Sequence, residues 1–381
     1  PLPSRLPTGR RKKMNTTDAP CMIEYASKSL GFTPHDSKWA PGTARVVTTG
    51  VSPSNKGGLC VHELGKSGMA ETLRDLSFRP SGIKCSTFGG SRGGYTIALG
   101  EYGGTLSLCD IERGVGGGGD KRGHPGGERR PEDRGAPAST FSVQAHEGIV
   151  NAIDGIGSAG GTQAPEIVTG GKDGCVKVWD TRVSAAVVSL VSDPATGARD
   201  CWAVAFGDSH GDERSVLAGF DNGDVKLFDL RTNSVRWETN CKNGIASLEF
   251  DRSDIEMNKI VVTTLESKFR CYDMRTQHPV DGFAFTSEVA HRSTVWTVAH
   301  LPQNRDVFMT GGGNGGFNIY RYRYPKSRVA KHLQDGKPVG VAGSVDLLNS
   351  RVVSTQPVVG FDWSPDREGL CCMCSLDQTM R

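Results

Sequence analysis

Along most of the chain the apolar residues fall in short runs, each cut off by a Gly, Asp or Asn turn. That pattern predicts short β-strands joined by tight hairpins, with no helical periodicity among them. The runs also return in a fixed order. The best copy is AHEGIVNAI, a loop, and EIVTGGKDGCVKVWD at 166–180. It comes back as CWAVAFG with SVLAGFDNGDVKLFD at 215–229, as GIASLEF with KIVVTTLESKFRCYD at 259–273, and as AHRSTVWTV with DVFMTGGGNGGFNIYR at 306–321. Weaker copies precede these, PHDSKWA with ARVVTTG and LCVHE near 34–63 and GIKCSTF with TIALGEYGGTLSLCD at 96–110. A last one follows, PVVGFDWSP with GLCCMCSLDQTMR at 369–381.

The aromatic-Asp endings at 180, 229 and 273 lie 49 and 44 residues apart. That spacing approaches the four-stranded unit of a WD-repeat blade, and seven copies predict an all-β, seven-bladed WD-repeat β-propeller spanning 21–381. In the third copy His146, Thr169, Asp173 and Trp179 match the structural hydrogen-bond tetrad of such a blade. The sixth copy keeps His291, Thr310 and Asn314, with Tyr320 for the tryptophan. Copies four and five retain Asp221 or Glu266 and lose the histidine. The seventh copy has two strands, PVVGFDW and GLCCMC, and its third has barely begun at Gln378–Arg381. The last blade is therefore expected to be incomplete at the C-terminus, in a truncated chain, and to be closed by an N-terminal strand. CMIEYAS at 21–27 alternates suitably for that strand, which should lie near 378–381 rather than against another blade.

Composition narrows the function more than the fold. Among 381 residues there are 50 Gly, which suits many tight turns. No apolar stretch approaches a membrane span and the N-terminus lacks a signal-peptide core, so a soluble intracellular protein is expected. The formal charge is +3, but Arg5, Arg10, Arg11, Lys12 and Lys13 precede the first Met, and without them it is −2. A nucleic-acid partner is accordingly not expected, and residues 1–20 read as a disordered or non-native extension. Residues 112–137, almost all Gly, Pro and charge, predict a loose insertion; with a polar excursion at 324–338 it should lie on the bottom rim. The 11 cysteines follow no framework spacing, and Cys371, Cys372 and Cys374 read as small buried residues of a strand rather than zinc ligands.

Three enzyme signatures fail on context. NAIDGIGSAGG at 151–161 places Gly155, Gly157 and Gly160 at G-x-G-x-x-G, but TQAPEIVTGG follows where a helix must start. GGSRG at 89–93 sits in a hairpin instead of a strand-to-helix elbow, and LGKS at 64–67 has Cys60 where a phosphate loop needs its first Gly. No catalytic residue, cofactor or metal is expected. Binding energy at protein interfaces concentrates in Trp, Tyr and Arg. Arg199, Trp202, Arg292 and Trp296, near the loops before two inner strands, are therefore the expected partner-binding residues on the top face.

From about Ile149 to Arg381 the chain resembles the Monad-type WD-repeat family of axonemal dynein assembly factors. The resemblance rests on phrases such as APEIVTG, DNGDVKLFDLR, SLEFDRSDI, FRCYDMRTQHP, HLPQN and STQPVVGFDWSPD. N-terminal to residue 80 it is looser, and 112–137 departs from it. The resemblance implies a non-catalytic, cytoplasmic co-chaperone adaptor, a monomer within larger complexes. Its implied partners are RuvB-like AAA+ ATPases, prefoldin-like subunits and axonemal dynein chains. The rival readings are a peptide or histone reader, which needs an acidic or aromatic-caged pore mouth, and a scaffold of an RNA-associated complex, which needs a basic face.

Overall fold

The computed structural model describes residues 19–66, 68–90, 95–111, 139–156, 166–190, 199–276, 282–331 and 338–381. Every regular element among them is a strand, and the strands form seven four-stranded antiparallel sheets and one two-stranded hairpin. Each sheet matches one sequence copy. The inner strands are Thr33–Trp39, Ile83–Thr87, Val150–Ile156, Cys201–Gly207, Ile245–Phe250, Val295–Leu301 and Val358–Trp363, for blades 1 to 7 in turn. Successive inner strands touch all the way round, the seventh against the first, so the blades form a ring.

The core is divided to match. Seven buried apolar clusters among the described residues each span two adjacent blades, for example Val168, Val178, Phe206 and Phe220 between blades 3 and 4. A single sheet leaves one apolar face open, and only a neighbour on either side removes it from water.

Blade 7 has four strands, though the third, Thr379–Met380, is only two residues long. Its outer strand does come from the N-terminal part of the chain, but it is Lys28–Ser29, not residues 21–27. Lys28 pairs with Met380 and Ser29 with Thr379, and the Leu30 amide donates to the Gln378 carbonyl over 2.8 Å. The segment expected to be that strand instead crosses a cleft of about 270 Å³ shared by blades 6, 7 and 1. The backbone there is held by side chains of blade 6's outer strand: Asn349 Nδ2 donates to the Pro20 carbonyl (2.7 Å) and Arg351 Nη1 to the Met22 carbonyl (3.0 Å). The reason is burial. Leu30 and Phe32 are fully buried between blades 7 and 1, whereas Ile23 and Tyr25 are 82% and 60% exposed.

Of the insertions, 112–137 lies outside the described residues, as do residues 1–18. The excursion at 324–338 leaves the third strand of blade 6, as expected, but folds into a small hairpin, Val329–Lys331 with Pro338–Gly340. Arg328 anchors it by donating to the buried Asp273 carboxylate at 2.8 Å.

In blade 3 the tetrad is a single directed chain. The Trp179 indole donates to Thr169 Oγ1 (2.9 Å), which contacts His146 Nε2 (2.7 Å), and His146 Nδ1 contacts Asp173 Oδ1 (2.9 Å). An indole only donates and a carboxylate only accepts, so the hydroxyl donates to Nε2 and Nδ1–H donates to Asp173. Asp173 also accepts from the amides of Glu147 and Cys175. Burial opposes its charge, but the hydrogen bond from His146 together with those from these amides holds its carboxyl at about 2. Blade 6 is looser. His291 Nε2 meets Thr310 Oγ1 at 2.8 Å, while Asn314 Oδ1 accepts from the Gly316 amide and the Ser293 hydroxyl. Burial without a carboxylate partner pushes His291 down to about 4.

The glycine fingerprint also has a packing cause. Gly155 lies in an inner strand whose antiparallel neighbour is Glu166–Gly171, whereas a dinucleotide fold requires parallel strands across a helix. A Cβ on Gly155 would stand 2.6 Å from the Gly90 backbone nitrogen. Gly157 and Gly160 lie outside the described residues.

Three outcomes are expected. Trp179, 4% exposed, should destabilise by about 3–5 kcal/mol when changed to Ala, measured by denaturant unfolding. Because the folded pKa of Asp173 is depressed, its charge stabilises above the unfolded value and is lost as pH falls. The stability difference between wild type and Asp173→Asn should therefore be constant above about pH 4 and shrink toward about pH 2 in an acid titration. Gly155→Ala should lower the melting temperature and leave dinucleotide binding undetectable in both proteins by calorimetry; saturable binding lost on that change would contradict the packing account.

Candidate functional site

The loops entering each inner strand and the turns between second and third strands share one face, here the top. That face is rigid because each turn packs on the loop entering the next blade. Gly174 (φ 75°) and Gly315 (φ 70°) sit in such turns. A Cβ there would come within 2.8 Å of the Arg199 carbonyl oxygen and 1.8 Å of the Ser354 carbonyl oxygen. Positive φ and absence of a side chain are both needed for that contact.

Every inner strand breaks register with its neighbour near its start. The residues left without a cross-strand partner are His35, Lys84, Asn151, Trp202, Ala246, Trp296 and Val359, one per blade. A bulge twists the strand and re-aims the extra side chain. None of the seven is buried, so together they form a ring of accessible side chains at the top of the channel. Of the expected partner-binding residues, Trp202 and Trp296 belong to this ring. Trp202 is half-buried and lines the channel, and Trp296 is 38% exposed. Arg199 and Arg292 are exposed in the loops just before them. The four form two Arg–Trp pairs on blades 4 and 6, separated by blade 5, whose ring position is the small Ala246.

Sequence reasoning missed the rest of the ring. Lys84 and Asn151 bring polar groups to it, and Asn151 Nδ2 is buried without a hydrogen-bond partner. His35 Nε2 lies 3.0 Å from the Tyr102 hydroxyl, and burial followed by the charge of Lys84 pushes its pKa down to about 4. Superposing the seven copies on VNAI, CWAV, IASL and VWTV would have found the position, because the odd residue falls second in each.

Below the ring the channel holds a cavity of about 530 Å³ that carries acidic groups. Asp154, Glu249 and Asp362 each lie three residues after a ring position. Asp154 accepts from the Phe206 amide and Asp362 from the Trp39 amide, both over 2.8 Å, and Glu249 accepts from His300 Nδ1 over 2.9 Å. Each acceptor therefore ties its inner strand to the next one. Burial pushes Asp154 and Asp362 up to about 6, with Lys38 and the amide hydrogen bonds opposing. With their oxygens committed to neighbouring strands, these carboxylates serve as stitches between blades. The other sequence motifs are structural as well. Gly89 and Gly90 abut Gly155 and Ile167, with Ser91 outside the described residues, and Cys372 and Cys374 are buried in a strand.

Comparison with known proteins agrees with this geometry. Residues 137–180, covering the outer strand of blade 2 and the first three strands of blade 3, match the family "WD domain, G-beta repeat". The chain is 48% identical over 370 residues to "Dynein axonemal assembly factor 10" of Xenopus laevis, covering 96% of each. It is 47% identical over 373 residues to the Homo sapiens protein of that name and 46% over 374 residues to that of Chlamydomonas reinhardtii, covering 97% of each chain in both cases. The chain belongs to the dynein axonemal assembly factor 10 family, as a seven-bladed WD-repeat propeller.

Proposed function

We propose that the protein is a non-catalytic scaffold for the assembly of axonemal dynein arms in the cytoplasm. Its partners in this reading are RuvB-like AAA+ ATPases, prefoldin-like co-chaperone subunits and dynein chains. The observation that supports it most is the top face, a rigid ring edge presenting two Arg–Trp pairs beside accessible bulge residues. The relatives' shared name supplies the process. Aromatic and guanidinium side chains on a preorganised surface are the usual anchors of protein interfaces, since little is lost in ordering them. The channel carboxylates hold strands together, which leaves the top face as the surface offered to a partner.

Affinity purification from ciliated and non-ciliated cells tests the process. AAA+ ATPases should accompany the protein from both, and dynein heavy chains only from the ciliated cell. Arg199→Ala with Arg292→Ala, or Trp296→Ala alone, should reduce recovery of at least one partner about tenfold or more, by quantitative pull-down, without changing the melting temperature by more than a few degrees. Undiminished recovery from folded variants would remove these residues from the interface.

A further inference from the structure

Blade 1 lacks the tetrad, and other side chains stand in its place. Thr48, Cys60 and His62 occupy the registers that Thr169, Lys177 and Trp179 hold in blade 3, as the pairs Thr48↔Cys60 and Val46↔His62 correspond to Thr169↔Lys177 and Ile167↔Trp179. In blade 3 the threonine hydroxyl is bonded on both sides. In blade 1 the Thr48 hydroxyl and His62 Nδ1 are buried with no hydrogen-bond partner. His62 Nε2 fares little better. It lies 3.9 Å from Cys60 Sγ and 3.8 Å from Glu71 Oε2, too far from the carboxylate for a hydrogen bond. An imidazole only 1% exposed and without a strong hydrogen bond at either nitrogen is costly, and Nε2 is aimed between two metal-ligating side chains.

Glu71 stands on the outer strand as the cross-strand partner of His62, and its Oε2 lies 3.4 Å from Cys60 Sγ. The three donor atoms thus form a triangle of sides 3.4, 3.8 and 3.9 Å, whose centre lies about 2.1 Å from every corner. Zinc bonds thiolate, imidazole and carboxylate donors at about 2.0–2.3 Å. Cys60 and His62 are buried while Glu71 is exposed, so an ion has a path in and a water can complete four-coordination.

We propose that Cys60, His62 and Glu71 form a zinc-type divalent metal site on blade 1. Binding replaces the Cys60 S–H bond by a metal–sulfur bond and releases the proton to solvent, with no change of oxidation state. Glu71 is already supported from outside, as ligating carboxylates usually are, because Arg74 Nε donates to its Oε1 over 3.0 Å and Arg74 Nη2 to its Oε2 over 2.5 Å, so Oε2 bridges the guanidinium and the ion. The same guanidinium donates to the backbone carbonyls of Ser29 (3.3 Å) and Leu30. The ligand set and the strand that closes the ring therefore share one anchor, and metal binding strengthens closure.

Cobalt titration of the full chain, stripped with a chelator under reducing conditions, tests the site. One Co²⁺ per chain should bind, with near-ultraviolet thiolate-to-cobalt absorbance and the visible bands of four-coordinate cobalt, all displaced by Zn²⁺. Zinc should raise the melting temperature and a chelator should reverse the rise. Cys60→Ser should abolish the charge-transfer band and Cys21→Ser should leave it unchanged. If Cys60→Ser does not fold, His62→Gln decides, with an affinity for cobalt at least about tenfold weaker expected. Absence of the band in the wild-type chain, its loss in Cys21→Ser, or unchanged affinity in His62→Gln would overturn the proposal.

Discussion

The ring is held shut by a strand of two residues. Six of the seven blade interfaces join segments that follow one another along the chain. The seventh joins its two ends, with Lys28 and Ser29 pairing to Met380 and Thr379. Two residue pairs of ladder are weak by themselves, and closing so long a loop is entropically unfavourable. What secures the pairing is what comes next to it. Leu30 and Phe32 enter the cluster of Trp39, Val46, Cys60, Cys372 and Met380, and Arg74 of blade 1 binds the carbonyls of Ser29 and Leu30. Without that interface blades 1 and 7 would each expose an apolar face, and the alignment of every other blade would be released.

The top face depends on this closure. Its turns and loops hold one another through glycine contacts between neighbouring blades, and the channel carboxylates bond the strands of successive blades. Such contacts position side chains only while the number and tilt of the blades are fixed. The two Arg–Trp pairs, on blades 4 and 6, keep their separation for the same reason. A rigid ring can offer several partners fixed sites at once, which suits a scaffold better than an enzyme that must close over a substrate.

Much of this was legible in the sequence. The seven blades could be read because each strand carries its own alternation and each turn its Gly or Asp, so local pattern and fold agree. The blade 3 tetrad was legible because His146, Thr169, Asp173 and Trp179 are chemically distinctive at fixed offsets. The closing strand was misplaced because CMIEYAS has the better alternation. Leu30 and Phe32, around a Gly in a φ 69° turn, decide the outcome through burial that only the assembled interface reveals. The bulge ring was mostly hidden because a bulge shifts register without altering the apolar pattern of the run. Trp202 and Trp296 drew notice by residue type, while Lys84 and Asn151 did not. The substituted tetrad of blade 1 could not be read either, since Cys60 and His62 meet Glu71 only across a hairpin whose register the residues do not announce.

Native-state hydrogen exchange, comparing the full chain with one lacking residues 19–30, tests the closure account most directly. The account predicts that amides of Cys371–Ser375 and of the Gly57–Gly65 strand lose protection on deletion, that protection then falls around the rest of the ring, and that the melting temperature drops. Unchanged protection in blades 1 and 7 of the shortened chain would contradict it, by showing that the ring stays closed without Lys28 and Ser29 paired and Leu30 packed at the seam.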